Sequence, residues 1–512
     1  MNKISTKTKE NIISYGLVLI GSIIYISLVF NKNVWLDEAF TASLVRTDMA
    51  GVLSRSMADT LPPLYNILLK ISTDIFGYYV PVMKMTSVVP MIIIMLLSAT
   101  VVRRQHGFKT SALFTIAMFT MPNLLFFGVE IRMYSLGLLF ATASGIYSYE
   151  VITNYNKKNL AIFSIVSALA GYSHHFAFVS VGFVFLFMLI YYFVLERENI
   201  KRWFLCLLFT MVIYFPCLLV TLKQFKSVSG YFSMPDVTLG VFIKYARYPY
   251  TVGNTVASIV LLVSIICIVT YTVIKIVAVF RNNGTIITRN ANIPAENTDE
   301  SKANEDNSDI NNIGDFANTS SIDAKATITD LYALSMFLVY YGVLIFGTII
   351  SKIMTANIFV DRYLLFAHGM LWLFFAIEAG QFKKYYNVFV AVAIFAGICG
   401  YMGEVKIEYD TNPEAMISYL EANVEDGDVL YTIEDAEEMA FCLPFYDDKL
   451  TNYEELSDAV KAARNADSDI WLTVMDYSEY DFEELEEYNL KATDPQEFSF
   501  DRYTFTLYRI TE

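Results

Sequence analysis

The stretch NKNVWLDEAFTASLV, residues 31–45, follows an apolar run that ends near Phe30. Just past Trp35 it sets two carboxylates side by side, Asp37 and Glu38, with Phe40 close behind. About twenty apolar residues suffice to cross a bilayer as a helix. An acid pair at the edge of such a span repels itself and loses hydration. Groups held at that cost mark function more often than structure. What this pair does depends on what the rest of the chain is.

The rest is membrane material. Of 512 residues, 55% are hydrophobic and 17% charged, against roughly 25% charged in soluble domains. Apolar runs fall at about 11–30, 85–102, 110–128, 133–151, 159–173, 175–195, 203–222, 252–279, 330–350, 362–380 and 385–402, which makes about eleven candidate spans. From Gly403 onward 7 bases face 30 acids, while the body before it carries a net +8. Two materials share one chain: a greasy, slightly basic body (1–402) and an acidic tail (403–512). The acidity of the tail argues against a nucleic-acid partner.

Cys206, Cys217, Cys267 and Cys399 lie in apolar runs and Cys442 stands alone in the tail, with neither metal nor disulfide spacing. They read as small packing residues. The N-terminal apolar run is too long for the core of a signal peptide and lacks a small-x-small cleavage site, so it reads as an uncleaved first span.

Lysines and arginines set the orientation. Lys3, Lys7 and Lys9, then RRQHGFK (103–109), NKK (156–158), ERENIKR (196–202) and QFKK (381–384), fall on alternate turns. With eleven spans they share one side, the cytoplasmic one. The N-terminus is then inside and the acidic tail outside. The Asn/Asp/Ser-rich segment 281–329 cannot bury enough apolar surface to order itself and reads as a disordered cytoplasmic loop. A regulatory site is its alternative reading. The tail alternates helix-like and strand-like stretches: MISYLEANVEDG, DVLYTI, NYEELSDAVKAARN with Leu456, Val460 and Ala463 on one stripe, DIWLTVM, EYDFEELEEY and RYTFTLYRI. It predicts a small soluble α/β domain without a phosphate loop, suited to binding or structure.

On this topology the outer loops collect the unusual polar groups. The first loop, about 31–84, holds Asp37, Glu38 and ADTLPPLYNILLKI (58–71), with Asp59 and Tyr65. Pro62–Pro63 can start a surface helix over Leu64–Ile71, too short to span. Glu130, Arg132 and Tyr134 sit in the second loop, His174 and His175 in the third. Lys223, Lys226, Asp236, Lys244 and Arg247 lie in the fourth, and Lys352, Asp361, Arg362 and Tyr363 in the fifth. A single arginine at a span end is more often one that snorkels to the interface. An adjacent histidine pair there is more often interfacial than metal-binding. Asp37–Glu38 resists such a reading.

A face of this kind suits a lipid-anchored phosphate. Arginines hold phosphate bidentately, and a carboxylate at the same height can take a proton from an attacking hydroxyl. Glycosyl transfer needs little more, because the leaving group is an anion that positive charge stabilises. Attack from the face opposite the phosphate inverts the anomeric centre.

W-L-D-E-A-F (35–40), D-T-L-P-P-L-Y-N-I-L-L-K (59–70), E-I-R-M-Y-S-L (130–136), Y-S-H-H-F (172–176) and D-R-Y-L-L (361–365) together resemble the membrane glycosyltransferases of the GT-C fold. The likeness is to the bacterial branch related to protein O-mannosyltransferases and the lipid A aminoarabinose transferase, a glycosyltransferase family 39-like pattern over about 11–402. The resemblance implies an all-α polytopic membrane protein with surface helices in the first outer loop and a small α/β domain behind it. It implies transfer of a hexose or pentose from a polyprenyl phosphate, outside the cytoplasmic membrane, to an acceptor hydroxyl on protein, lipid or wall polymer. It makes Asp37 the base, with Glu38 beside it, and turns Arg132 and Arg362 toward the donor phosphate. Asp59, Tyr65, Glu130, Tyr134, His174, His175, Arg247 and Tyr363 are possible site-lining residues. Some members need a divalent cation and others do not. Many read His-Pro-Pro where this chain reads Leu61-Pro62-Pro63, so any role of that histidine is absent or assumed by another residue.

The rival from another class is a multi-span transporter or flippase for a lipid or sugar. Transporters place ionisable groups near the middle of spans, whereas these spans read as nearly charge-free. A structural or assembly protein would leave the acid pair unexplained. An oligosaccharide ligase or polymerase should carry a large basic outer loop.

Overall fold

The computed structural model describes residues 5–31, 34–228, 237–291, 310–354, 357–382, 384–406, 413–425, 427–432, 451–453, 455–475, 480–500 and 503–511. Helix α1 (Thr6–Leu28) is followed by three helices that do not span: α2 (Leu36–Leu44), α3 (Met49–Ala58) and α4 (Leu64–Phe76). The last is the expected surface helix, one and a half turns longer than Leu64–Ile71. Then come α5 (Val80–Leu97), continued through a π turn into α6 (Arg103–His106), α7 (Phe108–Thr120), α8 (Pro122–Phe127), α9 (Tyr134–Thr153), α10 (Lys157–Ser173), α11 (His175–Val194) and α12 (Ile200–Val228). The body closes with α13 (Leu239–Arg247), α14 (Thr255–Ala291), α15 (Ile310–Ile353), α16 (Leu365–Gln381) and α17 (Tyr386–Gly400). The expected loop 281–329 is thus helical at both ends, and 292–309 lie outside the described residues, as do Asp236 and Cys442.

Every expected span falls on helix. Eight are long and apolar enough to cross a membrane by themselves, and the chain is a multi-pass membrane protein. The other three, on α7, α9 and α10, are shorter or more polar, and α7 and α9 face protein rather than lipid. On α9 nearly every residue is buried, including Ser135, Gly137, Thr142, Ser144, Gly145 and Ser148. Small residues let helix backbones approach closely without an apolar coat. A Cβ on Gly137 would come within 2.5 Å of the Phe366 ring on α16. Helix α16 is buried along its whole length, so α7, α9 and α16 form the centre. By contrast α12 and α14 turn Phe204, Leu208, Val212, Ile259 and Val263 outward, the face a bilayer covers.

The turns divide between two ends. At one, Arg103 meets Glu10, Arg104 meets Glu150, and Lys109 sits over Tyr386. At the other lie Asp37, Arg132 and Arg362. The last span finishes at the Asp37 end, where Gly400 packs on Pro122, and the Pro122–Asn123 turn is tied to the Tyr248 carbonyl.

The tail forms a five-stranded sheet, ordered β2-β1-β3-β5-β4, with β1 (Val429–Thr432), β2 (Thr451–Tyr453), β3 (Ile470–Met475), β4 (Lys491–Phe500) and β5 (Tyr503–Thr511). β1 pairs parallel with β2 and β3, and β5 antiparallel with β3 and β4. Helix α18 (Pro413–Asn423) precedes it, and α19 (Leu456–Ala466) buries Leu456, Ala459, Val460 and Ala463 on the sheet. Three local expectations change. Thr451–Tyr453 is strand rather than the start of that helix. The helix expected over 479–488 shrinks to α20 (Glu483–Glu486). KATDPQEFSF, which carries no strand signal, is β4. Asp494 takes a φ of 53° beside Pro495, and the pairing slips between Thr493 and Gln496. Proline and a bulge are tolerated there because β4 is the sheet edge.

Candidate active site

Helix α2 starts at the acid pair and separates its members. Glu38 occupies the third helical position and reaches back, its Oε2 accepting the Trp35 N–H at 3.2 Å, half of a capping box. Its Oε1 accepts the Ile131 N–H at 2.6 Å. Glu38 is buried, and burial raises its carboxyl above the ordinary glutamate value against the opposing pull of Lys84 and of those two N–H donors. Lys84, also buried, donates to the Asn31 carbonyl at 2.9 Å. Glu38 therefore clamps the 129–133 loop onto α2.

Asp37, about 100° further round the helix, remains 30% exposed. Its Oδ2 lies 3.5 Å from Arg362 Nη2 and 3.9 Å from Arg132 Nη2. Arg132 is fixed by two further bonds, Nη1 donating to the Asp37 carbonyl at 3.0 Å and to Thr41 Oγ1 at 2.7 Å. Arg362, on the 3₁₀ turn Asp361–Leu364, lies over the Trp35 ring at 5.3 Å, a cation–π geometry. Both guanidiniums are mostly buried. One half-buried carboxylate and two held cations thus share one spot on α2, the 129–133 loop and the start of α16.

Other expected residues surround this core. Tyr134 is buried between Phe127 and Phe366. The Tyr65 hydroxyl bonds Ser87 Oγ at 2.7 Å, and Ser87 donates to the Glu130 carbonyl at 2.5 Å, so Tyr65 and Glu130 brace the loop that carries Arg132. The His174 ring stacks on Phe366 and meets Tyr363 at 4.8 Å. Asp59 is half-buried and accepts a bond from Thr60. His175 places Nε2 3.1 Å from the Thr60 carbonyl, so an imidazole stands next to Leu61 after all, supplied by α11. Arg247 is not drawn in: its side chain is exposed, and the cation that α13 brings to Asp361 is Lys244, at 3.7 Å.

Thr41 and Lys84 were not singled out in the sequence, and Trp35 entered only as the first letter of W-L-D-E-A-F, with no role in the site. Thr41 had a signal, lying four residues after Asp37 and so on the same helix face. Lys84 had one too, as a lone cation opening an apolar run. The spans also hold more charge than they seemed to. At the opposite end Lys275 meets Asp330 at 2.7 Å, and Gln381 Nε2 bonds Asp330 at 3.0 Å. Among the described residues no three His, Cys, Asp or Glu side chains gather as metal ligands do.

An apolar groove of about 910 Å³ runs between α1, α4, α5, α9 and α10, lined by Phe30, Phe76, Val89, Leu136 and Leu139 among others. Phe30 and Leu136 in its lining stand within a few residues of Trp35 and Arg132 in the chain. A second cavity, of about 430 Å³, is lined by His174, His175, Gln224, Tyr363, Phe178 and Ile350 among others.

No family model matches the sequence, and no curated protein is similar to it. Solved structures are. ArnT from Cupriavidus metallidurans in the apo state superposes with a TM-score of 0.57 at 9% identity, over 96% of this chain and 97% of that one. The same protein bound to undecaprenyl phosphate gives 0.56 at 9% identity, with the same coverage. The chain therefore has the fold of ArnT, the GT-C fold that its motifs resemble.

Proposed function

We propose that the protein is a membrane glycosyltransferase that moves a sugar from a polyprenyl-phosphate donor to an acceptor hydroxyl. The observation that carries this reading is the half-open Asp37 carboxylate held against two buried guanidiniums. The fold supports it, since ArnT with this architecture binds undecaprenyl phosphate. The 910 Å³ groove is the place for the polyprenyl chain, with its phosphate at Arg132 and Arg362.

The donor phosphate competes with Asp37 for the two guanidiniums and so releases the carboxylate. Asp37 then takes the proton of the acceptor hydroxyl as its oxygen forms a bond to the anomeric carbon. The bond from that carbon to the phosphate oxygen breaks, and the electron pair leaves on polyprenyl phosphate, stabilised by both arginines. Attack opposite the phosphate inverts the centre. Glu38 is a positioning residue that holds the Arg132 loop. The short basic turns put their end of the bundle in the cytoplasm, which leaves the site and the acidic domain outside.

The test is a transfer assay on purified protein with a panel of polyprenyl-phosphate sugars, hexoses and pentoses, reading release of polyprenyl phosphate. Release from at least one donor, lost in Asp37→Asn, supports the reading. No release from any, in protein that is folded and monodisperse, overturns it.

A further inference from the structure

The helix that carries Asp37 also holds one of the two arginines in place. Thr41 follows Asp37 by four residues on α2, so the two share one face of that helix. Its side chain is buried, with 2% exposure. The Thr41 hydroxyl donates to the Asp37 carbonyl at 2.9 Å, the back-bond that a helical threonine makes to the residue four before it. A hydroxyl has one hydrogen and two lone pairs. With the hydrogen committed, only lone pairs remain, and Arg132 Nη1 donates to one of them at 2.7 Å.

The second Nη1 hydrogen goes to the Asp37 carbonyl at 3.0 Å. A guanidinium is planar, so spending both hydrogens of one terminal nitrogen fixes the plane and aims the other. Arg132 Nη2 is thereby turned to the Asp37 carboxylate, 3.9 Å away and outside hydrogen-bond reach. It is the nitrogen left for a ligand. Arg362 is held differently, over the Trp35 ring at 5.3 Å. Among the described residues, Thr41 is the one side chain bonded to Arg132 Nη1.

We infer that Thr41 is a positioning residue for the donor phosphate. It acts through Arg132, by keeping Nη2 turned to the spot that the phosphate and the Asp37 carboxylate contest. The same helix face thus carries the base and aims a cation that receives the leaving group. Donor and departing polyprenyl phosphate meet the same preset nitrogen, so its loss weakens binding of both and leaves the chemical step in place. The inference rests on the transferase reading above and adds to it the residue that sets donor affinity at Arg132.

The test splits the side chain in two. Thr41→Val keeps its shape and removes the hydroxyl, whereas Thr41→Ser keeps the hydroxyl and removes the methyl. Thr41→Val should raise donor KM about tenfold, the effect of one hydrogen bond to a charged group. Its kcat should stay within about twofold of the wild type, as expected when uniform binding is lost. Thr41→Ser should bring donor KM back to near the wild-type value. In an Arg132→Met background Thr41→Val should add less than about twofold, because its effect passes through the missing side chain. Thr41→Cys, whose sulfur accepts only weakly, takes the place of Thr41→Val if the valine variant does not fold. An unchanged donor KM in folded Thr41→Val would overturn the inference. So would a fall in kcat alone, a serine variant as impaired as the valine one, or the full valine effect without Arg132.

A binding measurement separates this inference from the reading it rests on, since it needs no turnover. Full-length protein in detergent is titrated with undecaprenyl phosphate, and Thr41→Val should raise its Kd by the same factor as donor KM. If no donor is turned over but Thr41→Val still weakens this binding, the transferase reading falls and Thr41 stands as the holder of a phosphate-binding arginine. If the wild type does not bind undecaprenyl phosphate, the phosphate site falls and the role of Thr41 with it.

Discussion

Asp37 Oδ2 lies 3.5 Å from Arg362 Nη2, across 325 residues of chain. The acid belongs to a short helix just after the first span, and the arginine to the turn that opens α16. If Asp37 is the base, Asp37→Asn removes proton acceptance while its amide oxygen still meets both guanidiniums. The variant should insert and purify normally and lose roughly 10²–10⁴-fold in kcat. Release of polyprenyl phosphate under saturating donor is the measurement, and near-normal turnover would remove Asp37 from the role.

The two arginines should act on donor binding. Arg362→Lys keeps the charge but loses the planar fork and weakens the stack on Trp35, so it is not a conservative change. We expect donor KM to rise about tenfold or more in Arg362→Lys and in Arg132→Lys, read from initial rates across donor concentration. An unchanged KM in Arg362→Lys would mark that residue as an interfacial arginine only.

Glu38 should matter to stability more than to chemistry. Glu38→Ala strands the Ile131 and Trp35 N–H groups and should cost about 1–3 kcal/mol. Its pH signature has a definite sign. Burial raises the carboxyl in the folded protein above its unfolded value, so Glu38 favours the folded state at low pH, where it is neutral. That contribution is lost as pH rises through the raised value. Thermal denaturation followed from pH 4 upward should therefore show Glu38→Gln gaining on the wild type as pH increases. A constant difference would contradict this.

Val89 lines the 910 Å³ groove and is 44% exposed on α5, so Val89→Trp can occupy groove space without disturbing the core. It should raise KM for a long polyprenyl donor about tenfold and change KM for a short-chain analogue little. Equal effects on both would place the lipid chain elsewhere.

Lys275 is the cation partner of buried Asp330 at the end opposite the site. Removing one member of such a pair leaves a buried charge and costs about 3–5 kcal/mol. Lys275→Met should lower the melting temperature of the detergent-solubilised protein, and Lys275→Met with Asp330→Asn should recover most of the loss. Failure of the double variant to recover would show that the lysine acts through something other than this pair.

Much of this was legible without coordinates. Apolar runs of spanning length can only be satisfied as helices in a bilayer, because each backbone group must bond within its own segment. That determined the polytopic body, the acidic domain behind it and the alternation of basic turns. It also marked Asp37, Arg132 and Arg362 as polar groups set at membrane edges. What the sequence by itself left open was which of these meet. Arg132 and Arg362 converge on Asp37 while Arg247 does not, since α13 ends with that side chain in the open and Lys244 nearer Asp361. Adjacent letters also hid the division between Asp37 and Glu38, because a helix turns neighbours about 100° apart and only packing decides which one is buried. Likewise the edge strand carrying Pro495 carried no local strand signal. Its pairing with β5, a long-range contact, makes it a strand.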